Sequence, residues 1–554
     1  QADLVLNTTA FAAASPGAEA PFVLAGDAPV LQLITCSANR ESWAGNDHGL
    51  RARDIAMHVA LPEIDGRLIT RTISFKGAAY YCERTQVDVV SYQPDHERIA
   101  FVVELARRWA VLRHKPNADK RLALVLANYP LSEGRIGNGV GLDVPASVVG
   151  MLAMLAAQGY ALDSLPEDGD ALMRQLTRGV TNDPVQRPLR PAWQSLSMAD
   201  YRDELARWPQ AAREAILQRW GEPEDDPTVR SGRFMIAGWR CGQVFVGIQP
   251  ARSHDPADYA SYHDAELVPP HAYLAFYIWL RKSFAVDALV HVGKHGNLEW
   301  LPGKSVALAD SCWPELALGP LPHLYPFIVN DPGEGAQAKR RAQAVIIDHL
   351  MPPLTRAENY GPLQDLEREV DEYYEAVIVD PRRASLLRKG ILKRIVEHDL
   401  HRELSLEAPV DSEGEDALLT SLDAYLCELK EAQIRDGLHI FGQSPTGRQR
   451  RDTLLALLRY PVGDGRGANS GLTQALVRDL QLEAWIDPCA ADWAMPRKNT
   501  TPGAVQSQAA ATAWLTGAIP DRPAALDMTT LQHESPCRST PVAARTHDLK
   551  LAAL

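Results

Sequence analysis

The sequence predicts a multidomain α/β protein with parallel sheets and a mainly helical C-terminal region. Three observations carry this. The chain has 554 residues, more than one core accommodates, and about 150 residues per domain implies three or four domains. Short, near-continuous aliphatic runs alternate with helical patterns, as parallel strands covered on both faces require. Beyond about residue 360 the apolar residues recur at helical spacing instead.

The strand runs are Arg121 to Tyr129, Gln243 to Ile248, Asp287 to Val292 and Ala344 to Ile347. Between them, Pro145 to Gln158 reads as a helix with Asp143 as N-cap and Pro145 in its first turn. Tyr273 to Phe284 and Ala336 to Arg341 read as the helices before the last two strands. Further on, Leu366, Val370, Tyr373, Tyr374 and Val377 share one helical face. Leu387, Ile391 and Ile395 share another, as do Leu418, Leu422, Leu426 and Leu429. The expected division is an α/β unit over 1–118, incomplete at its N-terminus, and a second α/β unit over 119–360 that carries the site. A helical region over 361–480 and a poorly ordered tail over 481–554 follow.

A net charge of −13 excludes nucleic acid as the main partner, since phosphate binding needs a concentrated basic face. Charged residues make up 23% and hydrophobic residues 46%, as in ordinary globular chains. The seven cysteines form no CxxC pair, which fits reduced thiols in the cytoplasm. No apolar run reaches the ~18–20 residues that span a bilayer, so no membrane role is expected.

The chemistry concentrates between Asp287 and Tyr360. His291, His295 and Glu299 fall at i, i+4 and i+8, but Gly293 and Gly296 between them favour a strand followed by a loop. In open α/β sheets that is where ligand sites form. Imidazole and carboxylate suit a divalent ion such as Co²⁺ and can accept protons. These three are the expected metal residues. Trp300, Trp313 and Tyr325 offer flat faces for a large ring, and Lys294, Lys304, Lys339, Arg340, Arg341 and Arg356 offer cations for its carboxylates. The bland alternatives are a structural histidine, core tryptophans and a solvated Lys-Arg-Arg face.

Gly303-Lys304-Ser305 mimics the end of a P-loop, but Leu298 stands where that motif needs glycine. No ATP site of that type is expected. The loop Ala127 to Asp143, with Gly134, Gly137, Gly139 and Gly141, either lets backbone N–H groups approach an anion or simply makes tight turns. A His/Asp group from His254 to His271 is spaced too irregularly to define a metal centre.

The runs HVGKHGNLEWLPGK and LPHLYPFIVNDPGEGAQAKRRAQAVIIDHLMPP closely resemble the large, tetrapyrrole-binding subunits of aerobic cobaltochelatase. ANYPLSEGRIGNGVGLDVPAS, YHDAELVPPHAYLAFYIWLR and ELKEAQIRDGLHIFG resemble further blocks of the same family. The related magnesium chelatase subunit shares the HG..EWLPG core but looks less similar around Glu431 to Gly442. The likeness covers roughly residues 1 to 480 and fades after Cys489, which implies an internal fragment of a longer subunit. The resemblance implies Co²⁺ insertion into the corrin hydrogenobyrinic acid a,c-diamide. ATP and Mg²⁺ would reside on two AAA+-type motor subunits. It places the family's active-site pair on His295 and Glu299. Trp300, Lys304, Arg340, Arg341, Asn330 and Glu334 are the expected ring contacts. Two alternatives stand beside this reading: a magnesium chelatase subunit acting on a porphyrin, and a truncated module that binds a tetrapyrrole or metal without catalysis.

Overall fold

The computed structural model describes residues 2–13, 28–128, 136–184, 186–254, 264–293, 296–351, 366, 369–370, 372–373, 381–397 and 438–458. They form a mixed α/β architecture around three sheets. The first contains β1 (Val5–Asn7), β2 (Val30–Cys36), β3 (Leu68–Cys82) and β4 (Val87–Pro94), in that order. Its first three strands run parallel, and β4 returns antiparallel to β3.

The central sheet begins with β5 (Leu122–Leu126). A small antiparallel sheet follows in the chain, made of β6 (Gln194–Ser197), β7 (Val229–Arg230) and β8 (Arg233–Ile236). The central sheet then resumes with β9 (Gly238–Cys241), β10 (Val244–Ile248), β11 (Ala288–Val292), β12 (His323–Ile328) and β13 (Ala344–His349). Its order is β13-β12-β11-β5-β10-β9, and every pairing but β10–β9 is parallel. Every residue of β5, β10 and β11 is buried, the sign of strands covered on both faces.

The aliphatic runs therefore form the strands expected of them. The helix after β5 is Val144–Ala157, and its N-cap Asp143 accepts from the amide of Ala146 at 3.0 Å. β12 went unpredicted because it contains Pro326. The structure shows why proline fits there. β12 pairs with β11 only through His323 and Leu324, so Pro326 faces no ladder on that side. Beyond that point the rings of His291 and Tyr325 pack against each other, with centroids 5.6 Å apart.

Chain order along the five parallel strands is 2-1-3-4-5. The direction of winding reverses beside β5, a switch point of the kind where open α/β sheets bind ligands. There the turn after β5 lies directly against the end of β11. A Cβ on Gly139 would stand 2.7 Å from Val144 Cγ2 and 3.2 Å from the Gly293 Cα. The glycines at 137 and 141 adopt positive φ (74° and 71°), as tight turns need.

Two devices lock the first sheet onto the central one. Residues Val306, Ala307, Leu308, Ala309 and Cys312 pack into one cluster with Ile34, Cys36, Trp43 and Phe75. Beside them the buried Glu315 binds Arg71 of β3 at 2.6 Å and Arg98 at 2.8 Å.

Of the expected helical region, Pro381–Glu397 and Gly447–Leu458 are helices, and Ile391 and Ile395 are buried on one face as the spacing requires. The Leu418 to Leu429 pattern and the 481–554 tail lie outside the described residues. Cys36, Cys82, Cys241 and Cys312 are free thiols. No described helix is long and apolar enough to cross a membrane.

Candidate active site at the strand ends

β11 ends at Val292, and Gly293 turns the chain at φ 105°. After the turn, Leu298–Trp300 forms one 3₁₀ turn that carries Glu299 inward, 1% exposed. Oε1 of Glu299 accepts from the Tyr325 hydroxyl at 3.2 Å. That hydroxyl in turn accepts from the Gly296 amide. Oε2 has no hydrogen-bond partner among the described residues. Gly296 leaves this oxygen open, since a Cβ there would lie 3.5 Å from Oε2 and 3.2 Å from the Tyr325 hydroxyl.

Burial pushes the Glu299 carboxyl up to about 8, against a weaker opposing pull from its own backbone hydrogen bond and from Tyr325. The nearby Glu334 carboxylate raises it further, and Arg341 lowers it. The site therefore holds a carboxyl that is mostly protonated at neutral pH but near its switching point.

Arg341 builds the loop around it. This buried guanidinium donates to the carbonyls of Glu299, Leu301 (2.6 Å), Gly303 (3.1 Å) and Lys304 (3.1 Å). Backbone carbonyls that no sheet or helix satisfies are thus met by one side chain.

A chain of neutral hydrogen bonds supports the site from below. Nδ1–H of His323 donates to the Ala342 carbonyl at 3.0 Å, which leaves its Nε2 as an acceptor. Nδ1–H of His291 donates to that nitrogen at 2.8 Å, so His291 Nε2 accepts from the Tyr277 hydroxyl at 3.0 Å. Burial holds His291 well below the usual histidine range and pushes His323 down to about 4. Gln249 donates to the hydroxyls of Tyr273 (3.3 Å) and Tyr277 (3.1 Å), and Tyr273 donates to Asn297 at 2.9 Å, two residues before Glu299.

Several expected site residues stand elsewhere. His295 and Lys294 lie outside the described residues, as does Arg356. His291, expected as a metal ligand, has both ring nitrogens engaged in the relay. Among the described residues no group of three or more metal-ligating side chains is assembled.

Lys304, expected to meet ring carboxylates, donates instead to the carbonyls of Trp43 (2.8 Å), Ala44 (3.0 Å) and Asn46 (2.8 Å). Arg340 forms a two-point pair with Glu63, at 3.1 and 2.8 Å, and Arg341 is committed to the loop. Trp313 is core, set edge-on against Trp208. Trp300 is half-buried, Asn330 is exposed, and Glu334 sits in the first turn of the helix Pro332–Arg341.

In the His254 to His271 group, His271 is structural. Its ring bonds the Tyr201 hydroxyl at 2.7 Å and the Gly221 carbonyl at 3.0 Å. Tyr325 was anticipated as a flat ring face. Its role as the partner of Glu299 was not, because no local spacing links residues 26 apart.

Fold and site together define a doubly wound α/β protein with a buried, titratable carboxyl beyond the carboxyl ends of β11 and β12. The chain belongs to the CobN/magnesium chelatase family, whose pattern matches residues 1–542. It is 58% identical to the aerobic cobaltochelatase subunit CobN of Pseudomonas aeruginosa over 509 residues, 92% of this chain and 40% of that protein. The corresponding subunit from Sinorhizobium sp. is 50% identical over 88% of this chain and 38% of its own length. A magnesium-chelatase subunit from Chlorobaculum parvum is 31% identical over 77% of this chain and 32% of its own length. Among solved structures, the catalytic subunit of cobaltochelatase from Mycobacterium tuberculosis matches with a TM-score of 0.66 and 36% identity, covering 100% of this chain and 46% of that one. The chain thus spans about two-fifths of the length of its cobaltochelatase relatives.

Proposed function

We propose that the chain is the part of a cobaltochelatase large subunit in which Co²⁺ enters the corrin hydrogenobyrinic acid a,c-diamide. Two AAA+-type partner subunits hydrolyse ATP with Mg²⁺ to drive the step, in the cytoplasm. The observation that carries the reading is Glu299, a buried carboxyl that titrates near pH 8 with one oxygen unengaged. The higher identity to cobaltochelatase than to magnesium-chelatase relatives supports cobalt and corrin over magnesium and porphyrin.

Metal insertion removes ring N–H protons as the ion enters, so the site needs a base whose affinity for protons matches the working pH. An arriving Co²⁺ favours the Glu299 carboxylate by opposite charge, and the carboxyl's own proton passes to the water that the ion sheds. The carboxylate then takes a ring proton on Oε2 while Tyr325 holds Oε1 in place. His295, next to Gly296 in the chain, is the second proton acceptor and a ligand to the entering ion. His291 serves the site through its neutral relay and not as a ligand, because using its Nε2 would displace the Tyr277 hydroxyl. Closure driven by the partner subunits excludes water and supplies the cost of stripping it from the ion.

The test is a titration of the full-length subunit, followed by tryptophan quenching, with the corrin and with protoporphyrin. Cobalt and magnesium insertion are then assayed with and without the partner subunits and ATP. The reading expects at least tenfold tighter binding of the corrin and cobalt insertion only with partners and ATP. Preference for protoporphyrin contradicts it, and so does ring binding without insertion under any condition.

A further inference from the structure

A small cleft opens two strands away from Glu299. It lies where β10 ends, between the small antiparallel sheet and the start of the helix His271–Lys282. Its walls are mixed, with Val180, Met235, Ile248 and Phe276 on the apolar side and Thr181, Thr228 and Ser253 on the polar side. Arginine supplies a cation among them. Arg187 lines the cleft, and its buried Nε–H has no partner among the described residues.

Burial draws the Arg187 guanidinium below its usual range, so its charge is poorly solvated. Asp226 is near enough to offset part of this. Its oxygens, however, already accept from the Thr228 amide (2.9 Å), the Thr228 hydroxyl (2.7 Å) and the Ala272 amide (3.0 Å). A guanidinium with an unmet donor in a cleft of mixed polar and apolar lining fits a carboxylate on a short carbon arm.

The cleft is physically joined to the Glu299 site. Asn182, on its wall, donates at 2.8 Å both to Asn128 at the end of β5 and to the Gln249 carbonyl at the end of β10. The Gln249 side chain then reaches Tyr273 and Tyr277, and Tyr273 reaches Asn297. β10 and β11 flank β5, so their ends lie roughly 10 Å apart, two strand spacings. A tetrapyrrole whose ring nitrogens face Glu299 extends its peripheral arms over that distance.

We infer that the cleft lined by Arg187 is the subsite for one peripheral carboxylate arm of the tetrapyrrole, and that it orients the ring over Glu299. This rests on the corrin reading above. Arg187 makes no internal hydrogen bond through its Nε, and its acidic neighbours are Asp226 and Asp183.

The test compares wild type, Arg187→Gln and Arg187→Lys in the full-length subunit. Each is titrated with the corrin bearing free carboxylates and with its methyl ester. Wild type should bind the acid about tenfold tighter than the ester, the scale of one charge-assisted hydrogen bond. Arg187→Gln should lose that tenfold for the acid and bind the ester as wild type does, with Arg187→Lys in between. Equal losses for acid and ester, or no loss for the acid, overturn the subsite while wild-type binding of the ring leaves the proposed function standing. Failure of wild type to bind either form overturns the proposed function and the subsite with it.

Discussion

At the scale of single residues, the site depends on one hydroxyl and one carboxyl. Tyr325 donates to Glu299 and so favours its ionised form. Tyr325→Phe should raise the Glu299 titration and move the midpoint of the pH–rate profile for cobalt insertion upward by about one unit. An unmoved midpoint separates Tyr325 from the chemistry. The Glu299 carboxyl titrates near 8 when folded and at its ordinary, lower value when unfolded. The unfolded chain therefore releases this proton first as pH rises. The stability that Glu299 contributes is full below the unfolded value and is lost as pH climbs through about 8, at up to about 1.4 kcal/mol per pH unit. Glu299→Gln removes that dependence. Melting temperatures at pH 5 and pH 9 should differ less in the variant than in wild type. Glu299 stands out in the sequence because it sits in a distinctive motif, and the structure buries it beside Tyr325. Lys304 and Arg341 were misread because a cation that serves carbonyls of its own fold and one that awaits a ligand look the same in a string of letters. Only the folded chain reveals the carbonyls of Trp43 and Glu299 that they satisfy.

At the scale of elements, the buried parallel strands announced themselves by continuous aliphatic character, and the helix Val144–Ala157 by its cap and early proline. β12 did not, because Pro326 is incompatible with a strand paired on both sides. Partial pairing, a tertiary fact, is what admits it. The interlock between sheets was equally hidden, since Arg71 and Glu315 are 244 positions apart. Removing Glu315 leaves two buried guanidinium groups without their shared carboxylate. Glu315→Ala should cost about 3–5 kcal/mol in urea unfolding; a loss below about 1 kcal/mol shows that the triad does not hold the sheets together. Gly49 makes the same point sterically. It stands at φ 78°, and a Cβ there would fall 2.0 Å from the Val306 carbonyl oxygen. Gly49→Ala should force residues 304–307 off the first sheet and destabilise the protein by at least about 2 kcal/mol.

At the scale of the whole molecule, the architecture makes the placement of Glu299 intelligible. The winding reverses beside β5, the β11–β12 ladder ends at Leu324, and the glycine turn after β5 packs against Gly293 at the end of β11. The loop that carries Glu299 continues directly into the segment that grips the first sheet, through Lys304 and Val306. A motion between the two sheets would thus pull on the loop that carries Glu299. The fold class and the family likeness were both legible from sequence. The small cleft was not, because its walls come from segments as distant as Val180 and Phe276.

The most direct measurement is the rate of Co²⁺ insertion by the complete complex, with wild-type or Glu299→Gln large subunit, alongside the affinity of each for the corrin. The rate should fall about 100-fold or more, the scale of a lost general base, with corrin affinity unchanged. Insertion at the wild-type rate by Glu299→Gln would remove this carboxyl from the reaction.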